Sequence, residues 1–138
     1  FNGRKVNDNI SKNIFRSIEE KCKKSNINLK KCKILILGIT FKENCSDIRN
    51  SNVVKLYNHF KKINTKIDVY DPKANKIEVL KKFKIKLINN LKPKYSVVIL
   101  AVAHNIFMKL NYKNLLDDKY ILYDVKSVLP KKIITLRL

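Results

Sequence analysis

The stretch Lys33-Ile-Leu-Ile-Leu-Gly38 decides how the rest of the chain reads. Four consecutive apolar residues, entered by a lysine and stopped by a glycine, form the pattern of a strand buried on both faces, as in a parallel sheet. A strand with one face in water would alternate instead. After Gly38 comes a polar loop, Ile39 to Asn50, and then Ser51 to Phe60, where Val53, Val54, Tyr57 and Phe60 recur along one helix face. Strand, loop and helix in that order are the first half of a crossover unit.

The alternation continues downstream. Lys66–Asp71 reads as a second strand, and Asp71-Pro72 then starts a helix with Asp as cap and Pro in the first turn. A short third strand is expected near Lys84–Ile88. Tyr95–Val102 is the most apolar strand, Asn105–Leu116 reads as a helix, Tyr120–Val125 as a fifth strand, and Pro130 interrupts the tail. Upstream, residues 6 to 24 form a helix on which Val6, Ile10, Ile14, Ile18 and Cys22 recur four apart with Phe15 beside them. Asn7 or Asp8 is its expected cap and Ser25-Asn26 its end.

Strand alternating with helix predicts an α/β fold: a five-stranded parallel Rossmann-like sheet, order 3-2-1-4-5, with helices on both faces. In such a sheet ligands bind beyond the carboxyl ends of the strands, where the strand order reverses. Three segments therefore share one rim: the loop Ile39–Asn50, the turn Ala103-His104-Asn105 and the pair Lys126-Ser127.

Composition bounds the function. The 138 residues suit a single core, and 45% hydrophobic residues rule out wholesale disorder despite a formal charge of +20. The longest apolar run, Val97 to Ala103, is far short of the roughly 20 residues a membrane-spanning helix needs. No signal-peptide pattern opens the chain, which begins on Phe1 and reads as a piece of something longer. Cys22, Cys32 and Cys45 are odd in number and lack CxxC spacing, which argues against a disulfide framework or a zinc site and for free thiols in a reducing cytoplasm. Of the 31 basic residues 27 are lysine, and with 17 Asn and 18 Ile they carry the mark of an AT-rich genome. The lysines are spread in doublets along the chain, whereas readers of bases favour arginine, so a solvated surface outweighs a nucleic-acid footprint.

The loop after the first strand carries the chemistry. Gly38 is its only glycine, so the tight pyrophosphate turn of GxGxxG is absent. It offers an aromatic, Phe41, and two cations, Lys42 and Arg49, ahead of a helix amino terminus: a set suited to a flat ring beside an anion. Each has a plainer alternative. Lys42 is equally a surface lysine, and Arg49 pairs with Asp47 or Glu43. Cys45, between two cations, has the setting of an activated thiol but no histidine near it in sequence, so a structural role is favoured. His104 either faces the ligand or caps the helix after it. Asp71 stands where dinucleotide folds hold ribose hydroxyls, with a helix cap as the simpler role, and Lys126 has a surface ion pair with Asp124 as its alternative.

The stretch Ile36-Leu-Gly-Ile-Thr-Phe-Lys-Glu-Asn-Cys-Ser-Asp-Ile-Arg-Asn-Ser-Asn-Val-Val54 resembles the UDP-glucose/GDP-mannose dehydrogenase family at the start of its C-terminal domain. Its wording is nearest the bacterial UDP-N-acetylhexosamine 6-dehydrogenases of surface-polysaccharide synthesis. Further matches follow in order: Gly3-Arg-Lys-Val-Asn-Asp8, Val69-Tyr-Asp-Pro72, Leu100-Ala-Val-Ala-His104, Tyr123-Asp-Val-Lys126 and Arg137-Leu138. Ser46 stands where proline is expected, at a position with no assigned role.

The resemblance implies a UDP-binding domain, residues 31–138, preceded over residues 1–30 by the end of a long interdomain helix. Enzymes of this family oxidise the C6 alcohol of a UDP-sugar to a carboxylate with NAD, through a catalytic cysteine in a middle domain and an NAD-binding amino-terminal domain. This chain has neither that cysteine nor a GxGxxG turn, and no catalytic residue or metal ligand is assigned to it. Carried over by position, Phe41, Lys42 and Lys126 bind the UDP-sugar, and Arg49 reaches toward NAD. The helix stripe Ile10–Ile14–Ile18 is core or subunit interface, since family members are homodimers. The alternatives are a basic α/β nucleic-acid-binding module and a degenerate fragment kept for dimerisation.

Overall fold

A computed structural model describes residues 2–49 and 51–138; the side chains of residues 2–8, among them Val6, lie outside the description. The chain begins with helix α1 (Asn2–Lys24), then strand β1 (Ile34–Leu37), α2 (Val53–Lys61), β2 (Ile67–Tyr70), α3 (Lys76–Phe83) and β3 (Tyr95–Leu100). Two short helical turns, α4 (Asn105–Met108) and α5 (Tyr112–Leu115), precede β4 (Leu116–Asp124) and the two-residue β5 (Leu136–Arg137). All pairings are parallel, in the order β2-β1-β3-β4-β5.

The middle of the sheet is buried on both faces, as the apolar runs of β1 and of Val97–Leu100 in β3 require. Ile34 and Ile36 join one cluster with Ile14, Ile18 and Cys22 of α1, Leu56 and Phe60 of α2 and Val79 of α3. Leu35 and Leu37 point the other way, into a second cluster with Phe107, Tyr112 and Leu115 of α4 and α5. The period-two geometry of a strand separates the two sets. Helices thus cover both faces, and the strands shared with the sequence reading lie in the expected order.

Four expectations about local structure are corrected. The segment Lys84–Ile88 is not a strand: Ile85 and Leu87 are buried between exposed lysines, and Ile88 N–H donates to Val69 O at 3.0 Å beside β2. The fifth strand of the sheet is instead β5, against β4. The helix at 105–116 is two turns, because the Asn111 side chain accepts from Asn114 N–H and starts a new turn. The cap of α3 is Asn75, whose side chain accepts from Glu78 N–H, and not Asp71. Finally, α1 runs from Asn2, so neither Asn7 nor Asp8 begins it. It ends as expected: Asn26 takes φ 57° and Ile27 N–H returns to Cys22 O at 2.9 Å.

Candidate functional site at the carboxyl rim of the sheet

The rim is built where β1, β2 and β3 end together. Gly38 N–H donates to Tyr70 O at 2.9 Å, and Ala101 N–H donates to Leu37 O at 2.9 Å. Gly38 has φ +96°, and a Cβ there would lie 2.5 Å from the Cβ of Val102. The glycine is thus needed for the backbone to pass the end of β3.

Beyond Gly38 the loop is held from inside by a buried polar network. Asp71, at the end of β2, is 1% exposed; its Oδ2 accepts from Ile39 N–H at 2.7 Å and Thr40 N–H at 3.2 Å, and its Oδ1 from Lys73 N–H at 2.9 Å. His104, after β3, is fully buried, with Nε2 3.0 Å from the same Asp71 Oδ2 and 3.2 Å from Thr40 Oγ1. Its other nitrogen, Nδ1, accepts from Asn44 N–H at 2.8 Å. Burial pushes the Asp71 carboxyl up, but the hydrogen bonds from His104, Ile39 and Lys73 and the nearby imidazole outweigh it and leave the group below its ordinary value. Asp71 is buried with both oxygens already accepting from the protein, and His104 neither faces solvent nor caps a helix with its side chain. Both serve the loop.

That network presents the outer side of the loop to solvent. Phe41 is 52% exposed, and Lys42 and Asn44 are exposed beside it. Phe41 N–H donates to Asp47 O at 2.6 Å, closing the loop on itself. The Lys42 carbonyl accepts from Thr40 Oγ1 at 3.0 Å and Cys45 Sγ at 3.1 Å, so Cys45 is a hydrogen-bonded part of the turn. Asn44 takes φ 57°, and its Oδ1 accepts from Asn105 N–H at 3.0 Å at the head of α4.

Arg49 pairs with Asp47 rather than Glu43. Its Nε and Nη2 reach the Asp47 carboxylate at 2.9–3.2 Å, and Arg49 N–H adds a fourth bond at 2.8 Å. The hydrogen bonds from Arg49 hold the Asp47 carboxyl down at about 2. Arg49 lines a hollow with Ser46, Glu78, Lys81 and Lys82, toward α3.

Lys126 lies elsewhere on the rim. It is exposed at the mouth of a hollow of about 180 Å³ lined by Ile10, Ile14, Asn52, Ala101 and Leu138. Its expected ion partner is otherwise engaged: Asp124 is fully buried, its Oδ1 accepting from Lys126 N–H at 3.2 Å and its Oδ2 from Leu129 N–H at 2.7 Å. Phe41 and Lys42 are thus neighbours on one loop, while Arg49 and Lys126 border separate hollows. The sequence pointed to Asp71 and His104 one at a time. It carried no signal that they are joined, or that Thr40 and Asn44 complete the set.

A parallel sheet of this order, with its polar loops gathered on the carboxyl rim, defines a doubly wound α/β domain of the kind that binds nucleotides at that rim. Residues 35–131 match the model of the UDP-glucose/GDP-mannose dehydrogenase family, UDP binding domain, and the chain belongs to that family. It is 35% identical over 132 residues to the UDP-N-acetyl-D-glucosamine 6-dehydrogenase of Salmonella typhi, covering 93% of this chain and 31% of that protein. It is 35% identical over 130 residues to Protein CapL of Staphylococcus aureus, with 92% and 31% covered. The chain therefore spans about a third of the length of these relatives. In fold it matches the UDP-N-acetyl-mannosamine dehydrogenase Cap5O from S. aureus, with a TM-score of 0.70 at 18% identity over 97% of this chain and 30% of that one. The UDP-D-ManNAc dehydrogenase from Pyrococcus horikoshii gives a TM-score of 0.69 at 19% identity, covering 87% and 28%. Among the described residues no helix is long and apolar enough to cross a membrane.

Proposed function

We propose that this chain is the UDP-binding domain (residues 31–138, with 1–30 the end of an interdomain helix) of an NAD-dependent UDP-sugar 6-dehydrogenase. The observation that carries the reading is the family match over residues 35–131, which takes in Phe41, Lys42, Arg49 and Lys126. The Phe41 ring offers a flat apolar face to uracil, and the ammonium groups of Lys42 and Lys126 meet the diphosphate and its neighbouring hydroxyls. A charge-assisted hydrogen bond contributes about 1.5–3 kcal/mol, so either lysine supplies roughly tenfold or more in affinity.

NAD, which supplies the hydride acceptor in such enzymes, does not fit this chain as its own ligand. The loop has one glycine where a pyrophosphate turn needs several, and Asp71 is 1% exposed with both oxygens engaged. Arg49 would reach across a cleft toward NAD, with the cofactor held by another part of the enzyme. By the same reading the isolated chain is catalytically silent. The whole enzyme is a cytoplasmic homodimer that makes uronic acid precursors for capsule or O-antigen.

Titration calorimetry of the 138-residue chain with UDP and with ADP tests the reading. UDP is expected to bind more tightly than ADP, and Lys42→Ala and Lys126→Ala each to weaken it. Equal affinity for the two nucleotides, or tight binding to duplex DNA with a steep salt slope, would overturn it.

A further inference from the structure

The loop that presents Phe41 and Lys42 is exposed on its outer side, yet its middle is tied to the interior through a single ring. Asn44 N–H faces His104 Nδ1 at 2.8 Å, so Nδ1 carries a lone pair and the ring proton sits on Nε2. That N–H then faces Asp71 Oδ2 at 3.0 Å and Thr40 Oγ1 at 3.2 Å. Thr40 is free to accept because its own hydroxyl proton goes to Lys42 O. Every donor has an acceptor, and the chain of contacts runs from the end of β2 through the ring to residues 40, 42 and 44. Phe41 and Lys42 sit between the two points where this chain grips the loop.

We infer that His104, oriented by Asp71, is a positioning residue that sets Phe41 and Lys42 in their ligand-binding geometry. This rests on the proposed UDP site and goes beyond it by assigning a task to two side chains that touch no ligand. The two halves of the task are separable. Asp71 fixes which nitrogen bears the proton; Nδ1 then has the lone pair that Asn44 needs. A buried residue that merely filled space would not require this tautomer.

Two substitutions divide the ring between them. His104→Gln keeps an amide N–H near the place of Nε2 for Asp71 but loses the acceptor for Asn44. His104→Asn keeps an oxygen near the place of Nδ1 for Asn44 but leaves Asp71 one donor short. His104→Gln is expected to bind UDP about tenfold more weakly, the equivalent of one net hydrogen bond, and His104→Asn about threefold more weakly. Thermal stability is expected to fall in the opposite order, further in His104→Asn. A purely structural role would move affinity and stability together, and that result overturns the inference.

NMR of the unsubstituted chain gives a second readout that needs no variant to fold. The ring ¹⁵N shifts are expected to report the Nε2–H tautomer, and the Asn44 amide to exchange slowly although its residue is exposed. A freely exchanging Asn44 amide, or the Nδ1–H tautomer, overturns the inference whatever UDP does. Slow exchange with the expected tautomer in a chain that does not bind UDP overturns the proposed function instead, and the inference with it for want of a ligand to position.

Discussion

The two loops that carry the proposed UDP contacts are each pinned by a buried aspartate, and they differ in where that aspartate comes from. In the loop after β4, Asp124 accepts from Lys126 and Leu129, two and five residues away. It is a local turn that its own sequence can form. In the loop after β1, Asp71 accepts from Ile39 and Thr40, 32 and 31 residues away, and His104 holds Asn44 across 60 residues. That loop takes its shape only when three strand ends have already come together. The Phe41–Lys42 side of the proposed site therefore depends on the integrity of the sheet, and the Lys126 side much less.

The sharpest way to break this contrast is Asp71→Ala. It strips the acceptor from three backbone N–H groups and from His104 in the interior, and is expected to cost about 3–5 kcal/mol in a denaturant melt. Asp124→Ala leaves two N–H groups in a local turn and is expected to cost less, about 1–3 kcal/mol. Equal losses would mean the two loops are anchored alike.

Acid offers the same test without mutation. The folded Asp71 carboxyl lies below its ordinary value, so its contribution is complete above the unfolded pKa of about 3.9 and drains away as pH falls through the lower folded value. Protection of the Ile39 and Thr40 amides, measured against their intrinsic exchange rates, is expected to fall on acidification in that range, and Asp71→Asn to flatten that dependence. In binding, Lys42→Ala and Lys126→Ala are each expected to weaken UDP roughly tenfold by calorimetry. The two losses should add, since the residues border different parts of the rim.

The smallest effect belongs to the exposed pair at the far end of the first loop. Removing the guanidinium in Arg49→Gln is expected to return the Asp47 carboxyl from about 2 toward its ordinary range in an NMR titration, with little change in stability. An unmoved Asp47 would show that the loop backbone, not Arg49, sets its value.

Much of this was legible from local pattern. Ile34–Leu37 and Val97–Leu100 are unbroken apolar runs, and both form the buried centre of the sheet. Asn26 ended α1 where the periodicity stopped. The failures share a cause. Ile85 and Leu87 alternate with lysines as a strand would, but alternation reports burial of one face and not a hydrogen-bonded ladder. Asp71-Pro72 has the local form of a helix start, yet the carboxylate is taken by the loop across the sheet and Asn75 caps α3 in its place. Lys126 and Asp124 are two apart in an ion-pair spacing, but the buried carboxylate is engaged by main-chain N–H groups of its own turn.

The amino-acid sequence was enough to specify the parallel sheet, the order of its four shared strands β2-β1-β3-β4 and the loops that share its carboxyl rim. Those follow from the period and length of apolar runs, which every residue reports through its immediate neighbours. The same rim residues, Phe41, Lys42, Arg49 and Lys126, were already in view. Only the tertiary structure decided that Asp71, His104, Thr40 and Asn44 are one network, and that Arg49 and Lys126 open on different hollows. A buried polar group must find its partner wherever the fold brings one within hydrogen-bond reach. That partner is chosen by the arrangement of strand ends in space, which no local period records.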